Sequence, residues 1–313
     1  MTEPARRRSA AIVAVSVTTV LWGSVGVFVK TTSLTGLTFA MYRLWLGVLV
    51  HLVALAVMRR RLAWSTFKAC APGGVLFAVD ISLTFTAVKL TTVANAAIIG
   101  ALSPIFILLV AGRMFGERVH RRDAILVALS FAGVVLVAVG ASGSPAWSPI
   151  GDLLALLSTI SWTTYWLFSK RSRASVSALE YMTSVMLAGA VAITPVALAV
   201  GGVPPSVPDA HDWRVLLVVT LVPGATGHLL VAWSHRHVEA WLSALITQCA
   251  PVISAVLAWP VLGEALTPLV VLGGLVVVGS TGLVIVSTSR RERALGHETE
   301  VDEEIEVATE RPT

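Results

Sequence analysis

The sequence predicts an all-α integral membrane protein: ten transmembrane helices, arranged as two inverted five-helix repeats, with both termini cytoplasmic. Three observations lead there. The chain is 56% hydrophobic and only 13% charged, against roughly 25% charged in a soluble domain, so its solvent must be mostly lipid. Its apolar residues gather into ten runs, each close to the ~20 residues that cross a ~30 Å hydrocarbon core. Two distant stretches also repeat one pattern. "SPIFILLVAGRMFGERV" from Ser103 and "APVISAVLAWPVLGEAL" from Ala250 both carry a proline, followed twelve residues later by Gly-Glu.

The runs follow in order. Run 1, residues 10–29, comes after the basic Arg6–Arg8. It is longer than a signal-peptide core and lacks a convincing cleavage site, so it reads as an uncleaved span. Runs 2 and 3, at 37–58 and 70–88, each hold one deep charge, Arg43 and Asp80. Run 4, at 93–112, has Pro104 near its middle, and run 5 covers 124–141. An external linker, 142–149, leads to run 6 at 150–169, which contains "SWTTYW". Run 7 is 178–200, and run 8 is 213–234 with His228 inside. Run 9 is 240–262 around Pro251, and run 10 is 267–288. Residues 1–9 form a cytoplasmic N-terminus. The tail, 289–313, is polar without an apolar period and is expected to be disordered.

Lys and Arg fix the orientation. With the N-terminus inside, the cytoplasmic segments hold Arg59–Arg61, Lys68, Arg113, Arg118, Arg121, Arg122, Lys170, Arg171, Arg173, Arg236 and Arg290 to Arg293, while the other side holds only Lys30, Lys89 and Arg214. The basic balance is therefore an orientation signal, and nucleic acid is not an expected partner. The lipid bilayer is. Cys70 and Cys249 sit in apolar runs with no metal-ligand spacing, and neither a disulfide nor a metal is expected.

Sliding the chain by 147 residues lays 87–119 on 234–266 without a gap, so Pro104 meets Pro251, Gly116 meets Gly263 and Glu117 meets Glu264. A shift of 140 lays "LWGSVGVFVK" on "SWTTYWLFSK", setting Trp22 on Trp162 and Lys30 on Lys170. Each copy spans the membrane an odd number of times, so the second must enter upside down. Inverted repeats are a signature of alternating-access transporters, and some channels share it.

These residues resemble a known family. "LWGSVGVFVK", "MYRLWLG", "ANAAIIGALSPIFILLVAGRMFGERV" and "GVVLVAVG", with their echoes in the second half, are similar to EamA-type transporters of the drug/metabolite transporter superfamily. The resemblance covers about residues 11–288. It implies a 5+5 inverted-repeat bundle with a central substrate cavity. It also implies efflux of amino acids, metabolites or drug-like compounds from the cell (plasma/inner) membrane, though the family also holds importers and exchangers.

Candidate residues follow from what lipid penalises. A proline inside a span removes a hydrogen bond, and the freed carbonyl needs a partner or a cavity. Pro104 and Pro251 therefore mark either a substrate-linked break or a packing kink. Gly116 and Gly263 read as helix ends beside them, and Gln248 and Asn95 as polar groups on the broken spans. A lone mid-membrane charge costs at least ~2.5–3.5 kcal/mol. Arg43 and Asp80 are thus either a cavity-lining pair or a structural ion pair between spans 2 and 3. The 147-residue shift sets His228 on Ile81, beside Asp80. Asp80 and His228 are accordingly candidates for coupling to the proton gradient, against the plainer reading of a satisfied buried histidine. Trp22, Tyr42, Trp162 and Tyr165 are candidate substrate-binding aromatics, with interfacial anchoring as the alternative. Trp241 and Trp259 read as anchors. His235 and His237 alternate in a basic loop rather than forming a metal site. No phosphate-binding loop and no catalytic cluster is visible, so neither a cofactor nor enzyme activity is expected. A membrane-embedded lipid-handling protein or enzyme is the rival class. The expected partners are a small-molecule substrate and the bilayer, with the chain a monomer or homodimer.

Overall fold

A computed structural model describes residues 3–91, 93–142, 148–202, 206–263 and 265–309; these are helical apart from short connections. The first half holds α1 (Glu3–Lys30), α2 (Gly36–Val57), α3 (Trp64–Leu90), the broken pair α4 (Val93–Gly100) and α5 (Ser103–Phe115), and α6 (Arg121–Ser142). The second half repeats the plan with α7 (Pro149–Ser172), α8 (Ala178–Gly201) and α9 (Ala210–Val219). A π-helical stretch, Thr220–Gly227, then leads into α10 (His228–Ser234). The broken pair α11 (Ala240–Thr247) and α12 (Ala250–Leu262) precedes α13 (Pro268–Thr309). The expected linker falls largely outside the described residues, and Glu264 wholly so.

Among the described residues, nine helical stretches are long and apolar enough to cross a membrane. The remaining expected span is α7, which has 24 residues but is diluted by Ser, Thr, Trp and Tyr. Those polar groups face inward: Ser158, Thr159, Ser161, Thr163 and Ser169 are buried. A helix whose polar side chains meet protein does not need an apolar surface all round. Elsewhere the apolar side chains point out, with Leu49, Ile125 and Leu275 exposed by 59%, 59% and 69%, as lipid contact requires.

Arg8, near the start of α1, and Lys170, near the end of α7, both reach the α10–α11 loop. The two helices therefore run in opposite directions, and the repeats are inverted. Within the bundle α3 packs between α7 and α8, α2 lies on α8, and α6 lies on α13. The α6–α13 crossing depends on two glycines. A Cβ on Gly273 would stand 2.6 Å from the Gly133 carbonyl oxygen, and one on Gly133 2.9 Å from that of Gly273.

The helix ends follow local chemistry, and one buried tryptophan departs from expectation. Gly116 and Gly263 terminate α5 and α12 in the left-handed region, at φ 67° and 72°, where glycine carries no Cβ penalty. Asp123 lies inside the first turn of α6, where its carboxylate accepts from the His120 backbone N–H and pairs with Arg291 at 2.7 Å. Trp241 is no interfacial anchor: it is 1% exposed, in the apolar cluster that fills the half of the bundle nearer the chain's N-terminus. Trp259 is 58% exposed. The last helix, α13, is described to Thr309. Glu and Arg are the commonest residues toward its end, and both favour helix.

Candidate functional site

Between the halves lies a cavity of about 370 Å³. Its lining on α3 climbs from Phe77 and Asp80 through Thr84 to Ala87, and on α7 from Trp162 back to Ala155. Both series run from mid-bundle toward the face opposite the N-terminus. Trp22, Arg43, Phe77, Trp162 and His228 also line it. The other half of the molecule is packed, with Trp166, Trp241, Leu242 and Leu245 in one cluster.

The buried charges are not paired with each other. Arg43 and Asp80, each 8% exposed, line the same cavity, but they form no direct ion pair with each other. The Arg43 Nη2 lies 3.3 Å from His228 Nε2. A guanidinium only donates, so that nitrogen accepts, and the imidazole is neutral with its proton on Nδ1. Asp80 Oδ1 accepts from Ser158 at 2.7 Å and from Thr84 at 3.3 Å. The structure thus gives each charge its own neutral partner and leaves both at one wall.

The π-helical stretch supplies the third element of the site. Pro223 has no N–H to bond the carbonyl of Val219 four residues back, and the helix widens there instead. The Pro223 carbonyl accepts the Trp22 indole N–H at 3.0 Å. Trp22 then stands 4.7 Å from the His228 ring and 5.6 Å from the Trp162 ring, a floor of aromatic faces beneath the cavity.

Below that floor is a second cavity of about 250 Å³, which shares Trp22, Trp162 and Gly100 with the first. It is built on the helix breaks, with Pro104 and Pro251 in its wall, each the second residue of its helix after the interruption. Gln248 joins the two breaks: its Nε2 donates to the Ala101 carbonyl at 2.6 Å. Ala101 is the residue that the repeat sets opposite Gln248.

Three expected site residues lie elsewhere. Asn95 donates to Asp152 at 2.8 Å, and Thr91 donates to the same carboxylate at 2.5 Å, tying α4 to α7. Tyr42 packs on Trp213, with its hydroxyl donating to Ser206 O at 3.3 Å. Tyr165 is 4% exposed behind the wall, against Phe77 and Trp162. Ser158, Thr84, Phe77 and Pro223 were not singled out from the sequence. Only Pro223 carried a signal, the Pro223-Gly224 pair inside an apolar run.

The model of the EamA-like transporter family matches residues 9–139 and 149–286, one copy on each half. The chain belongs to that family. Two Bacillus subtilis (strain 168) proteins are similar to it. "Uncharacterized transporter YetK" is 25% identical over 193 residues, 60% of this chain and 58% of that one. "Uncharacterized transporter YdfC" is also 25% identical over 193 residues, 61% of this chain and 62% of that one. The matched stretch therefore spans about three-fifths of each relative. A solved crystal structure superposes with a TM-score of 0.78 at 19% identity, covering 90% of this chain and 98% of the other, which shows the shared fold.

In this member of the EamA-like transporter family, polar contacts join the repeats at the face that carries the N-terminus. Arg8 Nη2 meets both Glu239 carboxylate oxygens at 2.9 and 3.0 Å. Lys170 lies 3.5 Å from Glu117 and donates to the Val238 carbonyl. Glu117 Oε1 accepts the Ala240 backbone N–H at 2.8 Å. Glu117 does not tie the start of α6, the helix that follows it in the chain. It ties α11 instead, across the repeat boundary. Burial pushes the Glu117 carboxyl above its ordinary value, opposed by the Ala240 hydrogen bond and the Lys170 charge. His235, expected in a solvated loop, is 1% exposed and bonded to Ser169 at 2.8 Å. Among the described residues, no cluster of His, Cys, Asp or Glu could hold a metal ion.

Proposed function

We propose that this chain is a secondary-active exporter of small organic solutes in the cell (plasma) membrane, working by alternating access of its two five-helix halves. In this reading α7 is the tenth span, and the basic N-terminal face is cytoplasmic. The observation that carries the reading is the cavity: both repeats wall it, and it lies in the half of the bundle away from the N-terminal face, while the other half is packed. Its 370 Å³ falls within the 300–1,000 Å³ usual for small-molecule sites. One guanidinium and one carboxyl on a mostly apolar, partly aromatic wall suit a solute with an apolar body and polar ends, such as an amino acid, a metabolite or a drug-like compound. Asp80, His228 or both exchange a proton during the cycle. A cavity on the outer side also suits uptake, so an importer or exchanger on the same fold is the second reading.

The test uses purified protein in oriented proteoliposomes. A thermal-shift screen of amino acids, nucleosides and cationic drugs selects ligands, and their gradient-driven flux is then measured in both directions, with internal pH recorded. Flux coupled to proton movement, lost in Asp80→Asn or His228→Gln, supports the reading. Flux without proton movement removes the coupling, and ligand binding with no flux in either direction removes the transport reading.

A further inference from the structure

We propose that Arg8, Glu117, Lys170 and Glu239 form an ionic latch that must open before the cavity can reach the N-terminal face. The proposal rests on the transport reading above and adds the device that controls one of its two openings.

Both ion pairs of the set cross between the repeats. Arg8 on α1 and Glu117 after α5 belong to the first half, and Lys170 on α7 and Glu239 before α11 to the second. Two cations and two anions balance, so the set can separate without leaving net charge on either cluster as a whole. The contacts lie on the side of the packed aromatic cluster away from the cavity. Trp166, one helical turn before Lys170, donates its indole N–H to the Ala240 carbonyl at 3.2 Å. The charges and the packed plug therefore share one support, the start of α11. Trp166 and Lys170 therefore stay together on the second half, and opening parts Arg8 and Glu117 of the first half from that shared surface.

Two features separate a latch from a permanent clasp. Buried ionic groups that serve rigidity are fully satisfied. Here Glu117 Oε2 is buried without a hydrogen-bond partner, and Lys170 reaches Glu117 only at 3.5 Å. The repeat also sets Lys30 on Lys170 and Glu264 on Glu117. The same two residue types thus recur at the mirrored positions, although their side chains lie outside the described residues. A brace needed on one face has no reason to be written twice.

The experiment uses full-length protein in proteoliposomes with Cys70→Ser, Cys249→Ser and a reporter, Ala244→Cys, which is 2% exposed and lines the lower cavity. A membrane-impermeant maleimide is applied at the N-terminal face. Glu117→Gln and Lys170→Met are expected to raise labelling at least about tenfold by shifting the population toward the open state. A disulfide between Arg8→Cys and Glu239→Cys is expected to abolish labelling from that face, reversibly on reduction. Unchanged labelling in folded, monodisperse Glu117→Gln and Lys170→Met protein overturns the proposal. So does a crosslinked protein that still labels freely, which covers the case where the charge variants misfold. If labelling responds as expected but no solute moves in the flux assay, the latch stands and the transport reading falls.

Discussion

The hydrogen bond between Arg43 and His228 decides what each can do. The imidazole accepts, so it is neutral, and a proton added to Nε2 would evict the guanidinium and set two positive charges side by side. Protonation of His228 and release of Arg43 are therefore one event. His228→Ala should leave Arg43 without a partner in a buried wall, where losing a bond to a charged group costs about 1.5–3 kcal/mol. A melting curve in detergent should fall accordingly, while His228→Gln, which keeps an acceptor, should melt near wild type. Asp80→Asn should also remain folded, because the amide oxygen still accepts from Ser158, yet ligand-driven proton flux should vanish. Arg43, Asp80 and His228 were legible in the sequence because lipid makes charge expensive and because the repeat register set His228 beside Asp80. Their partners were not. Ser and Thr in helices ordinarily satisfy themselves on the carbonyl a turn earlier, and nothing in a sequence distinguishes Ser158 from the hydroxyls that do so. Asn95 misled for the opposite reason: its polarity serves a tie to Asp152 and not the cavity.

Among the elements, the interrupted helices set the site's floor. Proline alone does not decide where a helix breaks: Pro72, Pro195 and Pro260 sit inside unbroken helices, whereas Pro104 and Pro251 open new ones. What separated them in the sequence was recurrence at one spacing. Gln248→Ala should strand the Ala101 carbonyl, with about 1–3 kcal/mol lost, read as a lower melting temperature. At the α6–α13 crossing, Gly273→Ala should force the helices apart, because a Cβ 2.6 Å from a carbonyl oxygen has no flexible neighbour to yield. Overpacking of this kind costs typically 1–3 kcal/mol, measurable as thermal destabilisation without loss of helical circular dichroism. The two glycines lie in runs that read only as apolar. Close approach is a property of the pair of helices, and a single sequence shows each helix alone.

At the scale of the molecule, the inverted architecture was legible because duplication leaves its register in the chain, and the polar α7 was legible as a span only by its place in that register. If the mirrored Lys30 and Glu264 act as Lys170 and Glu117 do, single reversals Lys30→Glu and Glu264→Lys should each lower flux, and combining them should restore it. The symmetry is one of scaffold only. Gly116 and Gly263 keep nearly the same backbone angle, but the amide of Gln248 faces Ala101, and His228 answers Ile81. A duplicated frame on its own would hold its two shapes at equal free energy. These one-sided polar groups lift that degeneracy, and a bias of 1.4 kcal/mol is already a tenfold difference in occupancy. The consequence is kinetic. Such a bias sets where the idle molecule waits and which half of its cycle is slow, but the solute gradient and the coupled proton gradient together set the direction of net flow. Exchanging the residues, Ala101→Gln with Gln248→Ala, should therefore change the ratio of forward to reverse initial rates' half-saturation points while leaving the final accumulation untouched.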